Sequence, residues 1–143
     1  MRLHTASETI RFIAGLEERA AAFYEGLAKK FPGRHELFLA FAKENRKYVQ
    51  QVQRTYQSVI SDAIEGCFAF DLESDDFLLD TELPQDASLS EAASKALAIE
   101  SRILKCYSAG AEQSGPFLAD VPRNFKIIVK KRQGRLDQVA SLQ

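Results

Sequence analysis

Cysteine is scarce in this sequence: Cys67 and Cys106 are the only two, and they form no Cys-x-x-Cys motif. The count excludes a structural zinc site, which needs four ligands, and a disulfide is not favoured. No apolar run approaches the roughly 18 residues of a membrane-spanning helix. The first twenty residues lack a long apolar segment and turn acidic too early for a signal or transit peptide. We therefore expect one cytoplasmic domain, residues 1–143.

An excess of either sign of charge is also missing. The net charge is −1, so no general field attracts nucleic acid or a membrane surface, and neither is an expected partner. The charges are unevenly placed, however. The segment from Glu65 to Asp86 carries acids and no base, whereas the C-terminal segment is rich in lysine and arginine. Two interpretations stay open: the acidic segment packs on a basic surface, within the chain or in a dimer, or it is simply solvated.

Strand signals are nearly absent, and four long helical patterns take their place. Apolar residues recur in steps of three and four, as on one face of a helix. The first helix is predicted from an N-cap at Ser7 to the Phe-Pro-Gly at residues 31–33. The others are predicted at about 34–65, 90–114 and 121–143.

The connections between these helices differ in length. The connection between the first and second helices is short, as is that between the third and fourth, so each pair is predicted to pack antiparallel. The connection between the second and third helices, residues 66–88, is long enough to cross a bundle. Two helical hairpins joined by one long crossover are the ferritin-like layout among four-helix bundles. The fold prediction is therefore an all-α, ferritin-like, up-down four-helix bundle. Five apolar residues are expected to anchor the crossover: Phe68, Phe70, Phe77, Leu78 and Leu79.

Charged residues interrupt all four apolar stripes. Burying such a charge costs several kcal/mol unless another group pairs with it. The positions also repeat. A shift of 83 residues superposes Glu17 on Glu100 and Tyr24 on Tyr107, and a shift of 88 superposes Glu44 on Arg132. The interrupting residues are Glu17, Glu44, Lys47, Glu100, Arg132 and Arg135.

Two segments resemble the rubrerythrin-type ferritin-like proteins. LEERAAAFY, residues 16–24, is similar to their first helix, and FLAFAKENRKYVQQV, residues 38–52, is similar to their second. The resemblance implies a di-iron centre inside the bundle, held by one Glu from each of two helices and a Glu-x-x-His from each of the other two. It also implies frequent dimerisation, so a homodimer is an expectation.

The ligands implied by the resemblance are incomplete. Glu17 and Glu100 match the lone glutamates, and Glu44 matches the first residue of one Glu-x-x-His. Lys47 replaces its histidine, and in the last helix arginines replace both ligands, at Arg132 and Arg135. The only histidines, His4 and His35, lie elsewhere and are interpreted as surface residues.

These replacements predict a protein without a cofactor. Three carboxylates then face three cations, which sum to zero, and arginine cannot give up its proton to make room for a metal ion. The leading hypothesis is a degenerate ferritin-like protein whose former metal site is a buried ionic network. It would be a non-catalytic structural module or would bind an unknown protein partner.

Three alternatives stay open. The charges could lie at exposed edges of the helices, or the arginines could bind a small anion. The chain could also be an iron-dependent oxidoreductase acting on peroxide or oxygen with unusual ligands. In such an enzyme the flanking Tyr24 and Tyr107 could carry radicals or protons; without metal they are core aromatic residues with a polar tip.

Overall fold

A computed structural model describes residues 1–59, 70–114 and 120–143. Within them lie four long helices: α1 (Ala6–Lys30), α2 (His35–Val59), α3 (Leu89–Ser114) and α4 (Asp120–Ala140). The prediction of an all-helical fold is confirmed. The predicted end of the second helix, the start of the crossover at residue 66, Cys67 and Phe68 all lie outside the described residues.

Helix α1 begins two residues earlier than predicted. Thr5 is the N-cap, and Ser7 lies inside the helix. The Thr5 hydroxyl accepts from the backbone N–H of Glu8 at 3.1 Å, and the Glu8 carboxylate accepts from the backbone N–H of Thr5 at 3.1 Å. This reciprocal capping box satisfies two donors that the first turn would otherwise leave unpaired.

The four helices enclose one apolar core. Helix α1 packs mainly on α2 and α3 mainly on α4, while α2 also contacts α4 and α1 also contacts α3. The helices are therefore arranged around the core in the order α1–α2–α4–α3. Helices α3 and α4 pack tightly at Gly110, where a methyl group would lie 2.8 Å from a ring carbon of Phe125. Only glycine fits there without a shift.

Residues 70–88, which we call the strap, precede α3 in the chain. The strap contains strand β2 (Leu72–Glu73), which pairs antiparallel with β1 (Arg2–Leu3) near the N-terminus, and a short 3₁₀ helix at Ser74–Phe77. Three of the predicted anchors, Phe70, Phe77 and Leu79, are buried. Leu78 is not, because half of its surface remains exposed.

The strap follows α3 from its end to its beginning. Its Asp71 backbone N–H donates to Gln113 at 2.7 Å, and its Asp80 pairs with Lys95 at 2.7 Å. On the other side, the Arg19 guanidinium of α1 donates to the carbonyl of Leu79 at 2.7 Å. The strap thus lies over α1 and α3.

No helix among the described residues is long and apolar enough to cross a lipid bilayer.

Candidate functional site

A cluster of charged side chains lies at the centre of the bundle. Glu17 of α1, Glu100 of α3 and Arg132 of α4 are each 0% exposed, and Arg135, one turn further along α4, is 2% exposed. Charges so far from water need close partners, since each loses several kcal/mol of hydration energy. We call these four residues, with Asn45 of α2, the ionic cluster.

Arg132 joins the two halves of the bundle. Its Nη1 lies 2.6 Å from Oε2 of Glu17, and its Nε lies 2.8 Å from Oε2 of Glu100. A guanidinium can do this because its planar fork presents several N–H donors in fixed directions. One side chain therefore ties α4 to both α1 and α3.

Arg135 binds α2 and α3. Its Nη1 donates to Oε1 of Glu100 at 3.1 Å and to Oδ1 of Asn45 at 2.7 Å. Its Nη2 donates to Oε1 of Glu44 at 2.7 Å and to the carbonyl oxygen of Phe41 at 3.2 Å. Glu44 lies at the edge of the cluster, where 45% of its side chain is exposed.

Two buried tyrosines each donate a hydrogen bond to a glutamate on the opposite helix. The hydroxyl of Tyr24 on α1 donates to Oε1 of Glu100 at 2.8 Å, and that of Tyr107 on α3 donates to Oε2 of Glu17 at 3.0 Å. Burial and the neighbouring carboxylates raise the pKa of both phenols well above the usual range. Both tyrosines therefore remain neutral donors that help to satisfy the buried glutamates.

Every oxygen of the two buried glutamates accepts at least one hydrogen bond. On Glu17, Oε1 accepts from Nδ2 of Asn45 at 3.1 Å, and Oε2 accepts from Arg132 and Tyr107. On Glu100, Oε1 accepts from a tyrosine and a guanidinium, and Oε2 accepts from Arg132. The carboxylates are therefore engaged by protein donors, as buried charges require.

Aromatic rings surround both guanidiniums. The Cζ atom of Arg135 lies 4.8 Å from the ring centre of Phe41 and 5.4 Å from that of Tyr24. The Cζ atom of Arg132 lies 5.1 Å from the ring centre of Tyr48. Arg132 Nη2, Arg135 Nε and the Tyr48 hydroxyl have no hydrogen-bond partner among the described residues. The ring faces provide favourable electrostatic contacts for the two cations.

The two buried glutamates have opposite pKa shifts. For Glu17, burial is the largest effect and outweighs the attraction of Arg132, so the pKa is raised. For Glu100, burial acts in the same direction, but the combined charges of Arg132 and Arg135 overcome it and leave the pKa lowered. Two guanidiniums attract the Glu100 carboxylate, whereas Glu17 has the attraction of Arg132 opposed by the like charge of Glu100.

Five of the six predicted site residues come together, and Lys47 does not. Lys47 is exposed and takes no part in the bonds of the ionic cluster described above. The prediction that it pairs with buried glutamates is wrong, because it lies on the outer side of α2. The alternative of exposed helix edges applies to Lys47 and in part to Glu44. It fails for the four residues at the core, Glu17, Glu100, Arg132 and Arg135.

Sequence reasoning missed Asn45, which is fully buried beside the two charged pairs. A signal was available, since Asn45 lies seven residues after Phe38 and three before Tyr48, both of which are buried. The matching shift between α2 and α4 is therefore 87 residues: 132 − 45 and 135 − 48 both give 87. It places Asn45 on Arg132 and Tyr48 on Arg135, whereas the predicted shift of 88 is one residue off.

The cluster does not have the composition of a metal centre. Among the described residues, no group of three or more His, Cys, Asp or Glu side chains is placed to hold a metal ion. His35 is exposed, and its ring lies 3.3 Å from the carbonyl oxygen of Ala28. Cys106 is buried, and burial raises the pKa of its thiol to about 12. What the cluster can do is hold four helices in one register.

Comparisons with known proteins give no further guide. The chain matches no family model, no curated protein and no solved structure. Any assignment therefore rests on the residues and their geometry.

Proposed function

We propose that this chain is a ferritin-like bundle in which an arginine-centred ionic network stands where related bundles hold two iron ions. In this proposal the protein is a non-catalytic structural or protein-interaction module. The observation that carries it is Arg132. Its guanidinium is within 2.8 Å of Glu17 and Glu100, the two residues that match the lone metal-binding glutamates.

The directions of the helices support a ferritin-like topology. On α1, Glu17 precedes Tyr24, and on α3, Glu100 precedes Tyr107. Tyr24 donates to Glu100, and Tyr107 donates to Glu17, so the first residue on one helix pairs with the second on the other. Such crossed pairs arise when two helices run antiparallel. The chain must then travel the length of the bundle between α2 and α3, which is the path of the strap along α3.

The repeat in burial supports the same relation. A shift of 83 residues places buried positions of α1 on buried positions of α3, as with Ile13 on Ala96 and Leu16 on Ile99. With the 87-residue shift, Asn45 donating to Glu17 corresponds to Arg132 donating to Glu100. Equivalent residues in the two halves thus make equivalent bonds, as expected of a duplicated helical hairpin.

The residues present do not fit a di-iron centre. Such a centre needs four carboxylates and two imidazoles. Here the two glutamates are joined by the neutral Asn45 and by Arg132 and Arg135, which offer only N–H donors. The oxidoreductase hypothesis therefore gains no support from the donor set.

Charge argues against an anion in the same place. Counting Glu17, Glu44 and Glu100 against Arg132 and Arg135 gives −3 + 2 = −1. An additional anion would be repelled, since the guanidiniums already serve carboxylates. We therefore do not favour the small-anion hypothesis.

Metal analysis tests the proposal. The protein is purified without chelator, incubated with excess ferrous iron or cobalt, desalted and measured by elemental analysis. We expect far less than one ion per chain, because a cation entering the site would displace or face two fixed guanidiniums. About two ions per chain would contradict the proposal and restore the oxidoreductase hypothesis.

A further inference from the structure

The net charge of −1 conceals a separation of charge across the bundle. The strap carries seven acids and no base. Because the strap covers α1 and α3, it lies on the side of the bundle opposite α2 and α4, given the order α1–α2–α4–α3. Six of these acids are exposed. Asp71 pairs with Arg2 and Asp80 with Lys95, and the other four are Asp75, Asp76, Glu82 and Asp86.

The opposite side is basic. We define the basic face by six exposed cations of α2 and α4: Lys43, Lys47, Arg54, Lys126, Lys130 and Lys131. It extends around α4, because Lys126 and Lys130 also line the groove between α3 and α4. Among the described side chains of these helices, the exposed acids are Glu36 and Asp137. The strap is thus acidic and the face of α2 and α4 is basic, although Arg2 and Lys95 pair with acids of the strap.

Exposed large apolar side chains occur on both sides, and they include Leu39 of α2, which is 39% exposed, and Met1 beside the strap, which is 70% exposed. Leu78 of the strap is 50% exposed, between Asp76 and Asp80 in sequence. Ile127 of α4 is 45% exposed, next to Lys126 and close to Lys130 and Lys131 in sequence. In an interface, a buried apolar side chain contributes affinity, and the surrounding charges contribute orientation.

We propose that the partner of each surface is the other surface on a second copy of this chain. The acidic strap of one copy docks on the basic face of the next, and Leu78 meets the region of Ile127. The two surfaces differ and lie on opposite sides, so the contact is head-to-tail. Such an interface joins more than two copies, as a closed ring or an open chain.

Salt and concentration give the first test. Sedimentation velocity is measured over a range of protein concentrations, at about 0.01 M ionic strength, with a Debye length of about 30 Å, and at about 1 M, with about 3 Å. We expect concentration-dependent association at low salt and an association constant at least about tenfold lower at high salt. A monomer under both conditions, or association that ignores salt, would overturn the proposal.

Two neutralised variants test the direction of the contact. One carries Lys126→Gln, Lys130→Gln and Lys131→Gln, and the other carries Asp75→Asn, Asp76→Asn and Glu82→Gln. All six positions are exposed, so little change in stability is expected. Each variant alone should remain monomeric. The matched control, with arginine at the three lysine positions, should associate like the parent.

Mixing the two variants is decisive. The first retains an acidic strap and the second a basic face, so one productive interface remains and a 1:1 dimer forms that cannot grow. No dimer in the mixture, or assemblies beyond a dimer, would contradict head-to-tail docking.

Leu78→Ser leaves the charge unchanged and should weaken parental association at least about tenfold. Unchanged association would reduce the contact to general electrostatic attraction and overturn the docking site.

Discussion

Glu17 and Glu100 are the same residue placed twice, once in each half of the bundle, and they differ in one donor. Both are 0% exposed, both accept from a tyrosine of the opposite helix, and both accept from Arg132. The third donor is the neutral amide of Asn45 for Glu17 and the guanidinium of Arg135 for Glu100. Their pKa values move in opposite directions.

This difference separates satisfying hydrogen bonds from balancing charge. Each glutamate has three side-chain donors among the described residues, yet only Glu100 has two cations nearby. Burial raises the pKa of Glu17, which is beside one guanidinium, whereas Arg132 and Arg135 together lower the pKa of Glu100. All cationic donors of the ionic cluster come from α4, so the α3–α4 half is the better compensated.

The largest expected effect comes from removing the donor that the two halves share. Arg132→Met leaves Glu17 without a cation and Glu100 with one. Breaking a buried pair in this way costs about 3–5 kcal/mol in the free energy of unfolding. Lys126→Met on the same helix changes an exposed residue and should stay within about 0.5 kcal/mol. Urea denaturation of both variants gives the comparison, and equal midpoints would show that Arg132 is solvated.

How far the sequence predicts this cluster depends on the helix. Helices α1 and α3 each have one well-defined apolar stripe. Glu17 and Glu100 interrupt these stripes and are buried, as predicted. On α2 the run Phe38-Leu39-Ala40-Phe41-Ala42 is apolar on several sides, so two neighbouring stripes fit it. Only contacts with other helices, such as Asn45 with Glu17, decide that Asn45 faces inward and Lys47 outward.

The corrected register gives the next prediction, which makes the two halves alike. The substitutions Asn45→Glu, Tyr48→His, Arg132→Glu and Arg135→His would place a Glu-x-x-His pair on both α2 and α4, beside the lone Glu17 and Glu100. Four crowded carboxylates should weaken the metal-free fold. At a free cobalt concentration about 100 times the Kd, binding should stabilise it by about 2.7 kcal/mol. Melting curves with and without cobalt measure this gain.

The control for that variant keeps the wrong register. Lys47→His, Arg132→Glu and Arg135→His place one imidazole on the exposed side of α2 and leave Asn45 and Tyr48 unchanged. Cobalt should raise the melting temperature of this control clearly less than that of the four-site variant. Equal gains would show that the inward-facing pair is not 45 and 48. A folded four-site variant that ignores cobalt would contradict the relation to di-iron bundles.

A smaller difference should separate the two glutamates themselves. At pH 7, Glu100→Gln removes the fully buried carboxylate that Arg135 binds, whereas Glu17→Gln neutralises a group that burial already disfavours as an anion. We expect Glu100→Gln to lower the free energy of unfolding by more than Glu17→Gln does, because Glu100 accepts from two guanidiniums and Glu17 from one. Similar losses in chemical denaturation would mean that Asn45 compensates Glu17 as well as Arg135 compensates Glu100.

The pH dependence of these two losses should have opposite signs. The lowered pKa of Glu100 contributes stability that is present above the unfolded value of about 4.3 and is lost as pH falls through the folded value. The raised pKa of Glu17 contributes stability that is present below about 4.3 and is lost as pH rises through the folded value. The cost of Glu100→Gln should therefore shrink towards acid, and that of Glu17→Gln should shrink towards neutral pH. Parallel curves would contradict the assigned directions.

The smallest expected effect tests the other half of the comparison, the side of α2. Lys47→Ala removes an exposed cation and should change the free energy of unfolding by at most about 0.5 kcal/mol. Asn45→Ala, two residues away, removes one donor from Glu17 and one acceptor from Arg135, and should cost about 1–3 kcal/mol because buried partners are left unsatisfied. Both are read from urea midpoints at pH 7. If Lys47→Ala were the more damaging, the outward direction of Lys47 would be wrong, and the cluster would depend on a cation from α2 after all.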